Sequence, residues 1–333
     1  MPTPSTCPVL DPRLTDEQAA RLHAARALVD AALAPRHLAG LAVARARARR
    51  PPVLLPELGV GAQDLVVRGA AGPRPARRYV PDELRQSATV LFLHGGGWAL
   101  GDLDTDDLLC RRLAAATGAT VLSLSYRLAP EHPWPAALDD ASAVLEALAA
   151  GRVPGLTGPL VVAGHGAGGQ LAAVLALRAR TGRVPPLAHV LLLCPLLDDD
   201  LDRDSHRRYG QGLGLSVDDL AWFWRMHVPD RAARHRSDVV PVRTGDLAGC
   251  ASTTVVVAGA DPVRDEGLAF ASALARADVD VREVLVEGVP HAFLTTPGVA
   301  AGERAVLEAA RHLTATLSAD RVLDLRESVP QPR

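Results

Sequence analysis

Two polar residue types are missing from this chain, since none of its 333 residues is lysine or asparagine. Without asparagine there is no Asn-x-Ser/Thr acceptor, which excludes N-linked glycosylation. Arginine therefore takes every position at which lysine or arginine would be expected, a bias typical of high-GC codon usage. A surplus of one charge is missing too, because 36 basic and 38 acidic residues leave a formal net charge of -2. We therefore expect no nucleic-acid partner, since such a partner calls for a basic surface.

Long hydrophobic runs and closely spaced cysteines are also absent. No run approaches the roughly 18 apolar residues of a membrane span, and prolines stand at the N-terminus where a signal peptide would carry basic and apolar segments. The four cysteines show no C-x-x-C or Cys/His ligand spacing. Free thiols in a reducing compartment are the default for such a chain. The sequence thus predicts a globular cytoplasmic protein with no membrane partner, no metal and no organic cofactor.

The pattern of apolar residues changes near residue 60. Before it, helical spacing predicts helices over 15–30 and 35–49, and the arginines of the second are interpreted as a solvated face. After it, buried strands alternate with helices, which predicts a mainly parallel, doubly wound α/β sheet. The predicted strands are 64–68, 76–80, 89–93, 120–124, 160–163, 188–194, 253–258 and 281–286, with helices over 108–116, 136–150 and 301–317. Strand 281–286 is a candidate edge strand that pairs across a homodimer.

One stretch, 159–170, combines a short apolar strand with closely spaced glycines and then a helix. Its centre reads GHGAGG at 164–169. A strand that turns sharply into a helix at small-x-small-x-small is typical of the nucleophile elbow of hydrolases, G-x-S-x-G. The central position here is Gly166, so the group that would attack a substrate is missing from the motif.

Four further motifs accompany this elbow in a fixed order. They are HGGGW at 94–98, YRLAPEHPWPAA at 126–137, DPVRDEG at 261–267 and PHAF at 290–293. Together with the elbow they closely resemble the hormone-sensitive-lipase-like carboxylesterases, over roughly residues 60–315. The resemblance implies an α/β-hydrolase fold with a helical cap. It also implies cap helices in 1–55, a core over 56–320 with a cap insertion near 198–235, and a C-terminal tail at 321–333.

The resemblance implies a role for each residue that matches a motif. Asp261 corresponds to the acid that orients the catalytic histidine, and His291 to that histidine. Gly96 and Gly97 correspond to oxyanion-hole glycines, and Ala167 to the third N–H donor. The chain order elbow, acid, histidine is the one expected of α/β-hydrolases.

The surrounding positions carry supporting predictions. His94, Gly95 and Glu131 are expected to brace the oxyanion loop, and His165, which replaces the family's usual acid, to pack beneath the site. Asp265 and Glu266 are expected to begin a helix, and Cys194 to be a buried, inert thiol. Candidate walls of the substrate pocket are Trp98, Trp222 and Phe293.

Three interpretations of Gly166 stay open at this point. In the first, the chain is an enzyme in which His291 activates water or a substrate proton, for ester hydrolysis or for lyase or cyclase chemistry through an enolate. In the second, it is a ligand-binding pseudoenzyme. In the third, it is a serine carboxylesterase represented by a nucleophile-less variant. The retained acid, histidine and oxyanion loop favour an enzyme.

Overall fold

A computed structural model of the chain describes residues 40–48 and 56–327. The helix predicted over 15–30 lies outside this part of the chain. Within the described residues, eight strands form one sheet: β1 (Val60–Gly69), β2 (Gly72–Pro81), β3 (Thr89–Leu93), β4 (Thr120–Leu124), β5 (Leu160–His165), β6 (His189–Leu193), β7 (Ser252–Ala258) and β8 (Val281–Val286). The α-helices are α1 (Leu41–Ala48), α2 (Asp107–Thr117), α3 (Ala136–Ala149), α4 (Ala167–Arg180), α5 (Asp204–Tyr209), α6 (Val217–His227), α7 (Arg264–Arg276) and α8 (Ala300–Glu327).

The sheet order is β1-β2-β4-β3-β5-β6-β7-β8. Strand β2 is antiparallel to both of its neighbours, β1 and β4, and β3 to β8 run parallel to one another. In this register Leu93 lies opposite Gly164, and His165 opposite Leu193. The loop after β3 and the turn after β5 therefore emerge side by side at the carboxyl ends of the strands, where open α/β sheets place their sites.

The central strands are buried on both faces because helices cover each side of the sheet. Along β3, Leu91 and Leu93 belong to one hydrophobic cluster, with residues of α3, α4, α6 and α7. Val90 and Phe92 belong to the other, with residues of α2 and α8. Successive side chains of a strand point to opposite faces of the sheet. Because both faces are covered here, the buried strands are apolar at every position. The predicted doubly wound α/β fold is confirmed.

Several boundaries differ from the sequence prediction, most of them by one residue, and three differences are larger. The first hairpin is longer than predicted, because β1 and β2 pair along their full length from Val60 opposite Pro81 to Gly69 opposite Gly72. Strand β5 continues through His165 into the elbow. Helix α8 continues to Glu327, so the beginning of the predicted tail at 321–333 is helical.

Strand β8 stands at the end of the sheet order, at an edge as predicted. Pairing across a homodimer there stays a prediction. In the part of the chain that the structure describes, none of the helices is both long and apolar enough to span a membrane.

Candidate active site

The turn between β5 and α4 is held in an unusual backbone conformation. Gly166 has φ 55° and ψ -114°. A positive φ of this kind is one that residues other than glycine rarely adopt. Its N–H donates to the Leu193 carbonyl at 2.9 Å, and its carbonyl accepts from the Leu196 N–H at 3.0 Å. The neighbouring strand β6 and the loop after it thus fix the turn, which has the strained geometry of a nucleophile elbow.

The glycines of this turn differ in how much space surrounds them. An ideal Cβ built on Gly164 would lie 2.0 Å from the Gly168 carbonyl oxygen, and one on Gly168 would lie 2.0 Å from the Leu93 carbonyl oxygen. Both positions require glycine because backbones meet there. A Cβ on Gly166 would instead have His291 Nε2 as its nearest neighbour, at 3.3 Å. A side chain at the central position would therefore be directed at the histidine, in close contact with Nε2.

His291 and Asp261 form a hydrogen-bonded pair beside this position. Nδ1 of His291 and Oδ2 of Asp261 are 2.7 Å apart. The Asp261 carboxylate is buried, and its Oδ1 accepts the Val263 N–H at 3.1 Å. A carboxylate at Nδ1 holds the proton there and leaves Nε2 as the basic atom. That basic atom is the one nearest to the Cβ position of Gly166.

Cys194 lies next to the same pair. One ligand atom from each of Cys194, Asp261 and His291 falls within 4.8 Å of the others, the kind of grouping that holds a metal ion. Burial, and then the charge of Asp261, raise the pKa of the Cys194 thiol well above its ordinary value. A protonated thiol is a poor nucleophile and a poor ligand. The short hydrogen bond already uses the facing His291 and Asp261 atoms, so the arrangement favours a proton-transfer pair over a metal centre.

The HGGGW loop follows β3 and depends on two of its glycines. Gly96 has φ 110° and Gly97 has φ 61°. A Cβ on Gly96 would lie 2.4 Å from the Leu100 carbonyl oxygen, and one on Gly97 would lie 2.2 Å from the ring of Phe223. The loop therefore packs closely under helix α6, and the helix holds the loop against the site. The sequence does not predict the contact between Phe223 and Gly97, because nothing local links Phe223 to a loop more than a hundred positions earlier.

His94, at the start of this loop, is completely buried. Its ring stacks on Tyr126 with centroids 4.2 Å apart, and the Tyr126 hydroxyl donates to the His94 carbonyl at 2.7 Å. Burial lowers the pKa of His94, so the ring is neutral and its Nδ1–H donates to the Gly95 carbonyl, 2.8 Å away. These contacts fix the start of the loop, and the bracing role of His94 stays a prediction.

His165 forms a second histidine–aspartate pair, with Asp106. Its Nδ1 lies 3.1 Å from Asp106 Oδ1, while Asp106 Oδ2 accepts the Gly95 N–H at 2.8 Å. Burial alone raises the pKa of Asp106, but the His165 ring and the Gly95 N–H outweigh it and lower that pKa overall. The ring of His165 also stacks against His291, at 5.5 Å between centroids. His165 is thus buried, and through Asp106 it is linked to the HGGGW loop.

Glu131 contacts the loop indirectly. Its two carboxylate oxygens accept from Arg45 of α1, each at 2.7 Å. The same arginine donates through Nε to the Ala99 carbonyl at 2.9 Å. One of its terminal guanidinium nitrogens donates to the Ala129 carbonyl at 3.0 Å. The hydrogen bonds from Arg45 hold the pKa of Glu131 down at about 2. Bracing by Glu131 therefore passes through Arg45, which the sequence interpretation had treated as part of a solvated face.

The three predicted pocket walls lie in different surroundings. Trp98 is fully buried, stacked on His227 with centroids 4.2 Å apart, and its indole N–H donates to Gln170 at 3.1 Å. Phe293 is fully buried in the cluster that contains α8. Neither side chain reaches open space, because both fill the core. Trp222 is partly exposed on α6, next to Phe223.

Acid, histidine, elbow and glycine loop at the carboxyl end of a doubly wound sheet define a class, the α/β hydrolases. The chain belongs to that family, since it matches the alpha/beta hydrolase fold family over residues 90–295. Its relatives are esterases. It is 38% identical over 274 residues to the carboxylic ester hydrolase LipN of Mycobacterium tuberculosis, covering 78% of this chain and 72% of LipN. It is 34% identical to the ethyl acetate hydrolase of Pseudomonas putida, over 66% of this chain and 71% of that enzyme.

Solved structures agree with these relatives. A thermostable esterase from Pseudomonas putida superposes with a TM-score of 0.80 at 28% identity, over 92% of this chain and 98% of that one. The esterase LipW from Mycobacterium marinum superposes with a TM-score of 0.73 at 32% identity, over 92% of this chain and 96% of that one. The chain is therefore a member of a carboxylesterase family of α/β hydrolases.

Proposed function

We propose that this chain has the ester-binding site of an ordinary serine carboxylesterase, from which only the nucleophile is missing, and that it hydrolyses small carboxylic esters slowly with activated water. The observation that carries the proposal is the 3.3 Å between a Cβ placed on Gly166 and His291 Nε2. The nucleophile position and the base are still aligned, and the backbone still holds the elbow conformation.

In the proposed reaction, water lies beside Gly166 and gives a proton to His291 Nε2 as its oxygen attacks the ester carbonyl. Asp261 stabilises the imidazolium that forms. The N–H groups of Gly96, Gly97 and Ala167 are the proposed donors to the oxyanion, and one such donor is worth about 10²–10³ in rate. His291 then returns the proton to the leaving alcohol. Water replaces a tethered hydroxyl, so the reaction lacks the acyl-enzyme step.

The relatives support ester hydrolysis over the lyase and cyclase chemistry that the residues alone left open. One of them is an ethyl acetate hydrolase, which directs attention to short acyl chains and small alcohols. The proposed site differs from that of a serine esterase by one hydroxymethyl group. This supports the form with serine at position 166 as the one against which the chain's activity is compared.

A second candidate is a binding protein that keeps the pocket without turnover. The absence of a nucleophile at Gly166 favours it. Against it stands the intact His291–Asp261 hydrogen bond, which binding alone does not require.

The test compares four forms on p-nitrophenyl acetate and butyrate: the chain itself, Gly166→Ser, His291→Ala and the double variant. We expect slow turnover by the chain, about 10³-fold or more above water alone, which His291→Ala removes. Gly166→Ser should raise kcat by at least about 10²-fold, and the double variant should lose that gain.

Two results contradict the proposal in different ways. Activity that appears only in Gly166→Ser identifies the chain as a binding protein on an esterase scaffold. An inactive but folded Gly166→Ser, with unchanged circular dichroism, shows that the site is not that of an esterase.

A further inference from the structure

The HGGGW loop contains three consecutive residues with positive φ. Gly96 has φ 110°, Gly97 has φ 61° and Trp98 has φ 58°. Glycine adopts such angles without strain, whereas a residue as large as tryptophan rarely does. A strained conformation of this kind persists only where the surrounding structure holds it. Contacts from other parts of the fold must therefore hold Trp98 and the two glycines before it.

Helix α6 supplies several of these contacts. The ring of Phe223 lies against Gly97, since its Cγ, Cδ1 and Cδ2 atoms are between 2.2 and 2.5 Å from the place where a Cβ on Gly97 would stand. The Trp98 indole stacks on His227 with centroids 4.2 Å apart and 5° between the planes, and it packs on Trp224 at 4.6 Å. Residues four apart share one side of a helix. Phe223, Trp224 and His227 therefore form an aromatic face of α6 that covers the loop.

Hydrogen bonds join the loop and the helix through a third segment. The Ala129 N–H donates to the Trp98 carbonyl at 2.9 Å, and the Trp134 N–H donates to the His227 carbonyl at 2.8 Å. The segment 126–137 is thus bonded to both members of the Trp98–His227 stack. The loop, the helix and this segment form one closed set of contacts.

We propose that the aromatic face of α6 fixes the positions of the Gly96 and Gly97 N–H groups, and that Phe223 is a positioning residue that acts through Gly97. The inference rests on the proposed function, in which these N–H groups donate to the oxyanion. It adds that the rate of hydrolysis depends on α6, which falls within the predicted cap insertion. Such donors are effective only when they are fixed before the reaction at the place where charge develops.

The first measurement needs no activity. Phe223→Ala removes the ring from Gly97, and Phe270→Ala on α7 is the matched control, because both phenylalanines are 3% exposed and belong to the same hydrophobic cluster. Amide hydrogen exchange of the full chain is followed by mass spectrometry. We expect exchange over 95–100 to be at least about tenfold faster in Phe223→Ala, and to be unchanged in Phe270→Ala.

The second measurement uses Gly166→Ser, the form with the higher expected activity. In that form Phe223→Ala should lower kcat for p-nitrophenyl acetate by about 10–100-fold, the cost of a small misplacement, while KM changes little. The matching thionoester carries sulfur in place of the carbonyl oxygen, and sulfur accepts hydrogen bonds weakly. Misplaced donors should therefore slow the ester more than the thionoester. Phe270→Ala should leave the ratio of the two rates unchanged.

Two more variants approach the same contact. Phe223→Leu is a smaller truncation and should show the same changes at reduced size, which keeps the inference testable if Phe223→Ala fails to fold. Gly97→Ala keeps the N–H of residue 97 but places a Cβ against the Phe223 ring, so it should lower kcat in Gly166→Ser. Adding Phe223→Ala should restore part of that loss, since the two residues are in contact. Additive losses contradict the inference.

The outcomes distinguish the inference from the proposed function. Equal exchange over 95–100 in Phe223→Ala and Phe270→Ala overturns the inference and leaves the proposed function standing. An unchanged ratio of ester to thionoester rates in Phe223→Ala does the same, because Phe223 then serves stability alone. An inactive Gly166→Ser contradicts the proposed function, and faster exchange in Phe223→Ala still supports α6 as the element that holds the loop.

Discussion

At the scale of single residues, the two departures from the esterase elbow have different consequences. Gly166 occupies the position of the proposed nucleophile, with the backbone at φ 55° and ψ -114°. His165 replaces an acid with a base, and the structure matches it with a buried acid, Asp106. That acid also accepts the Gly95 N–H, so one carboxylate joins the HGGGW loop to the elbow. We propose that Asp106 is a positioning residue, which acts through these two contacts.

Asp106→Asn should weaken this connection, because an amide has one acceptor oxygen for two donors. We expect a loss of about 2 kcal/mol in the free energy of unfolding, typical of a buried hydrogen bond to a charged group. In the more active Gly166→Ser background, kcat should fall at least about tenfold while KM changes little. Urea unfolding and steady-state kinetics measure the two effects.

Asp104→Asn is the matched control, since Asp104 lies in the same loop, is partly exposed and pairs with Arg77. It should change stability by less than about 1 kcal/mol. Reversing the pair, with Asp106→His and His165→Asp together, should recover kcat. Equal losses in Asp104→Asn and Asp106→Asn, or no recovery on reversal, would refute the positioning role.

At the scale of elements, the short helix α1 is hydrogen-bonded to the rest of the protein through Arg45, and its apolar residues pack against the core. Arg45 donates to Glu131 and to the carbonyl oxygens of Ala99 and Ala129. Ala99 directly follows the HGGGW motif, so Arg45 attaches α1 to the proposed oxyanion loop. Ala44 is buried beside it, which fixes the face that α1 presents to the core.

Arg45→Met keeps the aliphatic stem and removes all these hydrogen bonds. We expect faster amide hydrogen exchange in peptides covering 40–48 and 96–100, measured by mass spectrometry. Global stability should fall by about 1 kcal/mol at most, because the ion pair is partly exposed. Arg47→Met, at an exposed position of the same helix, should leave exchange unchanged. If the two variants exchange alike, Arg45 is not the attachment.

At the scale of the whole molecule, the core contains histidines that the fold keeps neutral. Burial lowers the pKa of His189 and of His227 to about 3. In the unfolded chain a histidine titrates near 6.5. Below pH 6.5 the unfolded state therefore binds protons that the folded state does not, and stability falls as the pH falls towards 3.

Each of these histidines contributes a slope of up to about 1.4 kcal/mol per pH unit between pH 6.5 and 3. Urea unfolding at pH 7.5, 5.5 and 4.5 should show a decline in the free energy of unfolding. His227→Phe keeps an aromatic ring against Trp98. It should make the unfolding free energy less dependent on pH, by the contribution of about one bound proton. Burial raises the pKa of Glu266, which acts with the opposite sign, so the difference between parent and variant isolates the histidine. Parallel curves would contradict the prediction.

Much of the fold and part of the site followed from local pattern. Strands β3, β4 and β8 have the predicted bounds, because short runs rich in valine, leucine and other strand-forming residues are a local signal for strands. Asp265 and Glu266 begin α7 as predicted. The pair of Asp261 and His291 was predicted from the order of motifs, and the structure brings the two side chains to 2.7 Å.

The contacts that the sequence did not indicate all join distant segments. Asp106 meets His165 because β3 and β5 are neighbours in register, and Phe223 covers Gly97 because α6 folds back over the sheet. Trp98 looked like a pocket wall and is part of the core.

The sequence by itself determined the class of the protein and the glycine at the centre of the elbow motif, since turns and buried strands depend on residues close together along the chain. Only the tertiary structure decided which polar groups meet and which aromatic rings are exposed. Those contacts depend on how whole strands and helices align, and no short stretch of sequence carries that information.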